Sequence, residues 1–599
     1  MNDHQTPARN TAPTDADPGD LRPHDDLAVL RTHGDLDDGD YYNLGTHTRP
    51  VTTSSPEARR WFDRGLIWSY GFHHEEAVRC FVQAAEADPD CAMAHWGIAY
   101  ALGPNYNKPW EFFDASDLAR TVARTHAAVE RARRLAETAA TPAERALIDA
   151  LSARYPQAGP AEDCSVWNAP YADRMRVAYE SDPDDLDLAA LYADALMNLT
   201  PWQLWDLRTG EPAEGARTTE AKEVLDRALA TPAGRDHPGV VHLYIHLMEM
   251  SPFPERALAV ADRLRGLVPD AGHLAHMPSH LEVLCGDYRR VVSDNSAAIA
   301  VDAKTVARSG AMNFYTLYRC HNIHFKIYGA MFLGRSEVAL EGAAELEAAI
   351  PEKLLRVQSP PMADWLEGFL AMRVHVLIRF GRWSDLLDLP LPADPDLYST
   401  TTAMTHYARG VALSATGRIA EAETERELFR AAVGRVQETR MLFNNTCADL
   451  LAIAAAMLDG ELEYRKGDFT AAFTALERSI ELDDQLPYDE PWGWMQPTRH
   501  AYGALLLEQG RVAEAEAVYR ADLGLDGTLP RARQHPGNVW ALHGFHECLV
   551  RLGRAAEARI VAQQLTTAVA LADVPVESSC FCRLETAPDT TADGAGHCC

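Results

Sequence analysis

No stretch of this chain stays apolar long enough to cross a bilayer, which excludes a helical membrane protein. The opening residues, Met1-Asn2-Asp3-His4, lack the basic stretch and apolar core of a secretory signal, so the expected location is the cytoplasm. Positive charge is scarce: 56 Lys and Arg face 87 Asp and Glu, for a formal net charge of −31. Such a field repels phosphate backbones and anionic headgroups, so neither nucleic acid nor a membrane is expected as a partner. Period-2 alternation of useful length is missing, which leaves β-strands without a signal. Also missing are a Gly-rich phosphate loop after a strand, a Gly-x-Ser-x-Gly elbow, a His-Glu-x-x-His pair and a dinucleotide fingerprint, so any chemistry has to come from elsewhere.

What is present is helical. At 599 residues the chain exceeds the size at which one hydrophobic core keeps growing, so domains or stacked repeats must absorb the length. Residues 1–54 read as an acidic leader and entry segment, disordered to about residue 40, because Asp, Pro, Thr and Gly there offer too little apolar surface to offset the cost of ordering. From Ser55 apolar residues recur at helical spacing. Trp61, Gly65, Ala77, Phe81, Ala84 and Pro89 follow one helical pair, in which small residues let two antiparallel helices approach closely. In this the chain resembles the tetratricopeptide repeat (TPR) family.

The resemblance implies an all-α, TPR-like right-handed α-solenoid of stacked helical hairpins over residues 55–572, with a concave groove lined by the first helix of each repeat. A turn glycine followed five residues later by a small or apolar residue recurs at Gly286/Val291, Gly334/Ala339, Gly381/Leu386, Gly417/Ala422, Gly467/Ala472, Gly510/Ala515 and Gly553/Ala558. No strand pairing is expected in this span. Pro201–Gly215 fits the repeat poorly and reads as a longer inter-helix loop, and residues 573–599 read as a Cys-containing tail.

Counting back from the residue that closes each turn fixes a register. Before Ala257, His242 lies 15 residues back and His246 lies 11; before Val291, His273, His276 and His280 lie 18, 15 and 11 back; before Ala339, His321 and His324 lie 18 and 15 back. These offsets are i, i+3 and i+7, one stripe of a helix, and seven of nine stripe positions in three consecutive repeats are histidine. One such residue is ordinarily a satisfied core or solvated histidine; seven together call for a common cause, and neutral imidazole is the commonest metal ligand. A pH sensor or a groove for an acidic peptide is the competing reading. Pro278 must kink or begin the helix that carries His280.

The expected cofactor is therefore a transition metal, copper first, with iron or zinc as alternatives, because imidazole without matching thiolates suits these ions better than magnesium or calcium. Glu249, at i+7 and i+3 from His242 and His246, is the candidate catalytic carboxylate, able to orient an imidazole or complete the shell. His375, His500 and His543 fall on the same stripe in later repeats and are the candidate substrate contacts. His73-His74-Glu75-Glu76 opens a second helix and is read as capping or solvent-facing.

Of 11 cysteines, seven are scattered singly, as reduced thiols would be; Cys580, Cys582, Cys598 and Cys599, with His597, could form a soft-ligand tail that carries metal to the groove or covers it. The functional expectation is a metal-dependent enzyme, a copper or iron oxidoreductase acting on a small molecule in the groove. The alternatives are a TPR scaffold binding a protein partner, and metal storage or delivery.

Overall fold

A computed structural model describes residues 41–584. These form helices from Pro56–Tyr70 through Ala555–Leu571, nearly all paired with their neighbours as antiparallel hairpins. Each of the seven turn glycines has positive φ, between 63° and 85°. After each, the next amide donates to the carbonyl five residues earlier, as Arg335 does to Ala330 (2.8 Å) and Arg554 to Leu549 (2.9 Å). This is the left-handed helix cap that favours glycine, because a Cβ would crowd the following carbonyl. The residue closing each turn is buried. Close helix approach takes a specific form in the first hairpin, where the Phe81 ring occupies the space a Cβ on Gly65 or Gly97 would need.

Three features differ from the sequence reading or add to it. Residues 441–446 form a two-rung antiparallel hairpin, Met441 opposite Thr446 and Leu442 opposite Asn445, in the loop before the helix Cys447–Lys466. Residues 41–54, the entry segment, form an extended strap held by distant partners. Asn43 exchanges bonds with Asp270, Arg49 pairs with Asp185 (2.8 Å) and Asp187 (3.0 Å), and Thr52 N donates to Glu144 (2.6 Å). His47 and His237 flank Asp187 from opposite chain segments, and the Arg49 guanidinium supplies the cation there. The leader proper, residues 1–40, lies outside the described residues.

The third difference is at the other end. Asp573 accepts from the amides of Ser336 (2.7 Å) and Glu337 (3.2 Å), capping the helix Ser336–Ala349; Ser579 bonds His500 O (2.8 Å), and Arg583 pairs with Glu547 (2.7 Å). Cys580 and Cys582 are joined by a disulfide inside this packed segment, so neither offers a thiolate in this state. Cys598, Cys599 and His597 lie outside the described residues. No helix among the described residues is long and apolar enough to cross a membrane.

The concave face is not an open groove. The Trp540 indole donates to Met331 O (2.7 Å), Asp573 N to Gly334 O (3.1 Å), and Ser359 bonds Asp114 (3.0 Å). Late repeats thus fold back over the helices that carry the histidines.

Candidate metal centre

Four helices deliver the histidine stripe. His242, His246 and Glu249 lie on Pro238–Glu249; His273 and His276 on the short Gly272–His276; His280 on Pro278–Cys285, which restarts at the proline; and His321 and His324 on Thr316–Leu333. All seven imidazoles are at most 6% exposed. Six of them form two groups of three whose ligand nitrogens all lie within 4.8 Å of one another: His242, His246 and His273, then His276, His280 and His321. Each trio draws two histidines from one repeat and one from the next.

Partners on the far side of the rings fix the tautomers. His242 Nδ1 donates to Tyr70 O (2.5 Å) and His246 Nδ1 to Glu249 Oε1 (3.0 Å), leaving both Nε2 atoms buried without a partner. In the second trio His280 Nδ1 donates to Glu249 Oε2 (2.7 Å). His276 Nδ1 donates to Asn295 Oδ1 (2.7 Å), and the amide orientation is settled because Asn295 Nδ2 gives its protons to Val291 O (2.8 Å) and Ser279 Oγ (3.0 Å). The Nε2 lone pairs of His276 and His280 consequently face each other 2.6 Å apart, with His321 Nε2 at 3.4 Å from His280. Facing lone pairs repel, whereas a cation among them turns repulsion into ligation, with outer partners holding the donor atoms in place.

Glu249 is bonded to imidazoles rather than aimed at a reaction space, and one carboxylate positions a ring in each trio. Glu490 stands beside it, 2.8 Å from His280 Nδ1. Burial, then the neighbouring acid, pushes Glu249 up (beside Glu490) and Glu490 up (beside Asp489). Burial likewise holds His242 down to about 4 and His276 to about 3, and keeps His246, His273, His280 and His321 well below the usual imidazole value, with neighbouring imidazoles adding to the effect. The trios are therefore neutral at pH 7, the protonation state that binds metal.

Each trio is backed by a phenylalanine. Phe72 lies 4.5–5.7 Å from the three rings of the first, and Phe325 lies 4.8–5.1 Å from those of the second. Phe72, Trp202 and Phe443, at φ 53°, 60° and 48°, each pack against cluster histidines. Left-handed backbone at a bulky residue costs on the order of 1–3 kcal/mol and persists where surrounding structure holds it, commonly at functional sites. Trp202 belongs to the irregular loop 201–215, which closes over the first trio.

The remaining sequence candidates lie elsewhere. His324 is in neither trio; its Nε2 is 2.8 Å from Met495 Sδ. His375 is buried against Trp494, with a centroid distance of 4.7 Å, and His500 is locked between Arg379 (3.0 Å) and Asp522 (3.0 Å). His500 also lines a small cavity with Arg379, Trp494 and Cys580, and His543 is half-buried and apart from both trios. His73 occupies the N-cap position of the helix His74–Ala87, where its carbonyl accepts from Ala77 N (3.0 Å), but its side chain makes no capping bond and is buried, stacked on Tyr315 at 3.8 Å. Asn295, Glu490 and Phe72 were not legible as site residues, since only the folded packing brings them to the rings, whereas Phe325 lies four residues after His321 on the same helix.

No family model matches the chain, and no curated protein matches it. Among solved structures, it is similar to yeast Tom70 (10% identity, 85% of this chain and 99% of that one, TM-score 0.24). It is also similar to the TPR domain of P58(IPK) (12%, 83% and 99%, 0.19) and to Naa15/Naa10 bound to HypK-THB (13%, 85% and 70%, 0.20). At such scores the likeness carries no argument about the site. The repeated glycine caps and paired helices make the chain an all-α stack of TPR-like hairpins.

Proposed function

We propose that this protein is a metalloprotein that holds two transition-metal ions, one at each imidazole trio, with copper first and iron or zinc as the alternatives. The observation that carries the reading is the convergence of Nε2 lone pairs, 2.6 Å apart at His276 and His280, with Nδ1 protons committed to Asn295 and Glu249. Three neutral nitrogens per ion suit copper, zinc or iron, and Tyr70, Glu249 and Asn295 behind the rings hold the donor atoms in place. With copper or iron the paired ions would make the protein an oxidoreductase acting on a small molecule; storage or delivery would use the same ligands without turnover.

A protein-binding scaffold is the second reading, supported by the repeat fold alone. Because the concave face is filled, a partner would have to meet the outer helices.

Elemental analysis of the purified full chain, native and reconstituted, separates these. Two ions per chain are expected. His242→Ala and His276→Ala should each lower the content toward one, by emptying different trios, and His375→Ala should leave it unchanged. Less than a trace of any transition metal after reconstitution would remove the metal reading and leave the scaffold.

A further inference from the structure

A cavity of about 90 Å³ adjoins the rings that back the first trio. Phe72, stacked on His246 and His273, and Tyr318, edge-on to His273 at 5.0 Å, both belong to its wall. One layer of aromatic rings therefore separates it from the imidazoles.

The charge of this wall runs against that of the chain. The protein as a whole is formally −31, yet Lys108, Arg120 and Arg124 meet here. Lys108 (2.8 Å) and Arg120 (3.8 Å) share a single carboxylate, Asp117. Arg120 also bonds the uncharged hydroxyls of Ser116 (2.6 Å) and Ser359 (3.4 Å), and Lys108 Nζ sits over the Phe113 ring at 3.9 Å. These contacts hold both cations in place without neutralising them. Their side chains keep 26% (Arg120) and 17% (Lys108) of their surface exposed, which leaves them within reach of a guest. Glu75 is the other carboxyl in the wall, and burial pushes it up toward the neutral acid, against Arg79 and Lys108. Its Oε1 accepts from Phe314 N (3.4 Å), and its Oε2 is buried without a partner, as is Nδ1 of the His73 ring in the same wall. Positive charge is thus in excess.

Size and surface narrow the class of guest. Roughly 10–15 Å³ admits one water and about 150 Å³ admits benzene, so about 90 Å³ suits about four or five heavy atoms. Val78, Leu102, Phe113 and Phe314 give the wall an apolar side. An anion with oxygen on every face, such as phosphate, would lose water there and gain no donor, whereas a short hydrocarbon end gains from burial.

We propose that this cavity binds a short monocarboxylate of about three carbons, its carboxylate among Lys108, Arg120 and Arg124 and its hydrocarbon end against that apolar side. Binding follows from the wall alone and does not depend on the metal reading.

Isothermal titration of the full chain with sodium propionate, and with propionamide as its neutral counterpart of nearly the same shape, tests this. One propionate per chain is expected, with propionamide weaker by about tenfold or more, since hydrogen bonds to charged groups are the stronger ones. Crystals soaked in propionate should show it beside Lys108 and Arg120. Arg120→Gln should weaken propionate by about tenfold and leave metal content at the wild-type value. The comparison of the two probes on the wild type stands even if that variant fails to fold. Equal affinity for propionate and propionamide, phosphate binding in the cavity as tightly as propionate, or propionate seated elsewhere overturns the proposal. Propionate held in this cavity by a chain that takes up no metal would sustain the site and remove only the metal reading.

Discussion

Asn295 is the clearest case of one side chain setting the chemistry of another. Its amide is pinned by two acceptors, so its oxygen faces His276 Nδ1 and the imidazole must present Nε2 inward. Asn295→Ala removes that constraint and leaves His276 Nδ1 only the longer contact to Ser279 Oγ (3.3 Å). Outer partners of ligating histidines are typically worth 10–100-fold in metal affinity, and a loss in that range is expected at the second trio. Competitive titration against a chelator would read it as one weakened binding step with the other unchanged. Glu249 differs because it bonds one ring in each trio, so Glu249→Gln should weaken both steps; a single weakened step would contradict its bridging position. Sequence spacing singled out Glu249 but not Asn295. The first shares a helix with its histidines, while the second meets His276 only when two helices pack.

At the scale of elements, the hairpin turn is the unit that repeats. Gly417 isolates its energetics, since its φ is 76° and nothing lies within 4 Å of where a Cβ would stand. Gly417→Ala should cost about 1 kcal/mol through backbone strain alone, measured as a shift in the urea midpoint with unchanged slope. A neutral result would mean that the cap does not hold the turn. These turns were legible because glycine at a left-handed cap is a local requirement. The strap 41–54 and the segment 573–584 were not, because each acquires its order from distant partners: Asp270 and Asp187 for the first, the amides of Ser336 and Glu337 for the second. The bulky residues Phe72, Trp202 and Phe443 carry no local signal for left-handed backbone, and each is held by packing against rings from distant segments, imidazoles among them.

For the whole molecule, burying seven neutral histidines makes stability depend on pH. Their folded values lie below the unfolded value of about 6.5, so the unfolded chain binds more protons as pH falls and stability present above that value is lost below it. Glu249 and Glu490 act in the opposite sense, since their raised values let the folded state hold protons that the unfolded state releases above about 4.5. Two carboxyls oppose seven imidazoles in the cluster, and elsewhere raised carboxyls such as Glu282 and Asp489 are matched by lowered histidines such as His73, His74 and His375, so the histidines win between pH 6.5 and 4.5. The metal-free protein should therefore show a falling melting temperature as pH drops from 7 to 5, measured by calorimetry. A flat profile would mean that the cluster takes up protons while folded.

The sequence by itself determined the helical class, the turn positions and the stripe that gathers histidines on adjacent helices, because helix periodicity and left-handed caps are local physics. Tertiary structure alone decided that the stripe divides into two trios, that His324 turns to Met495, and that later repeats close the concave face. Those outcomes depend on which rings and carboxylates meet after distant repeats pack, and no spacing along the chain encodes that approach.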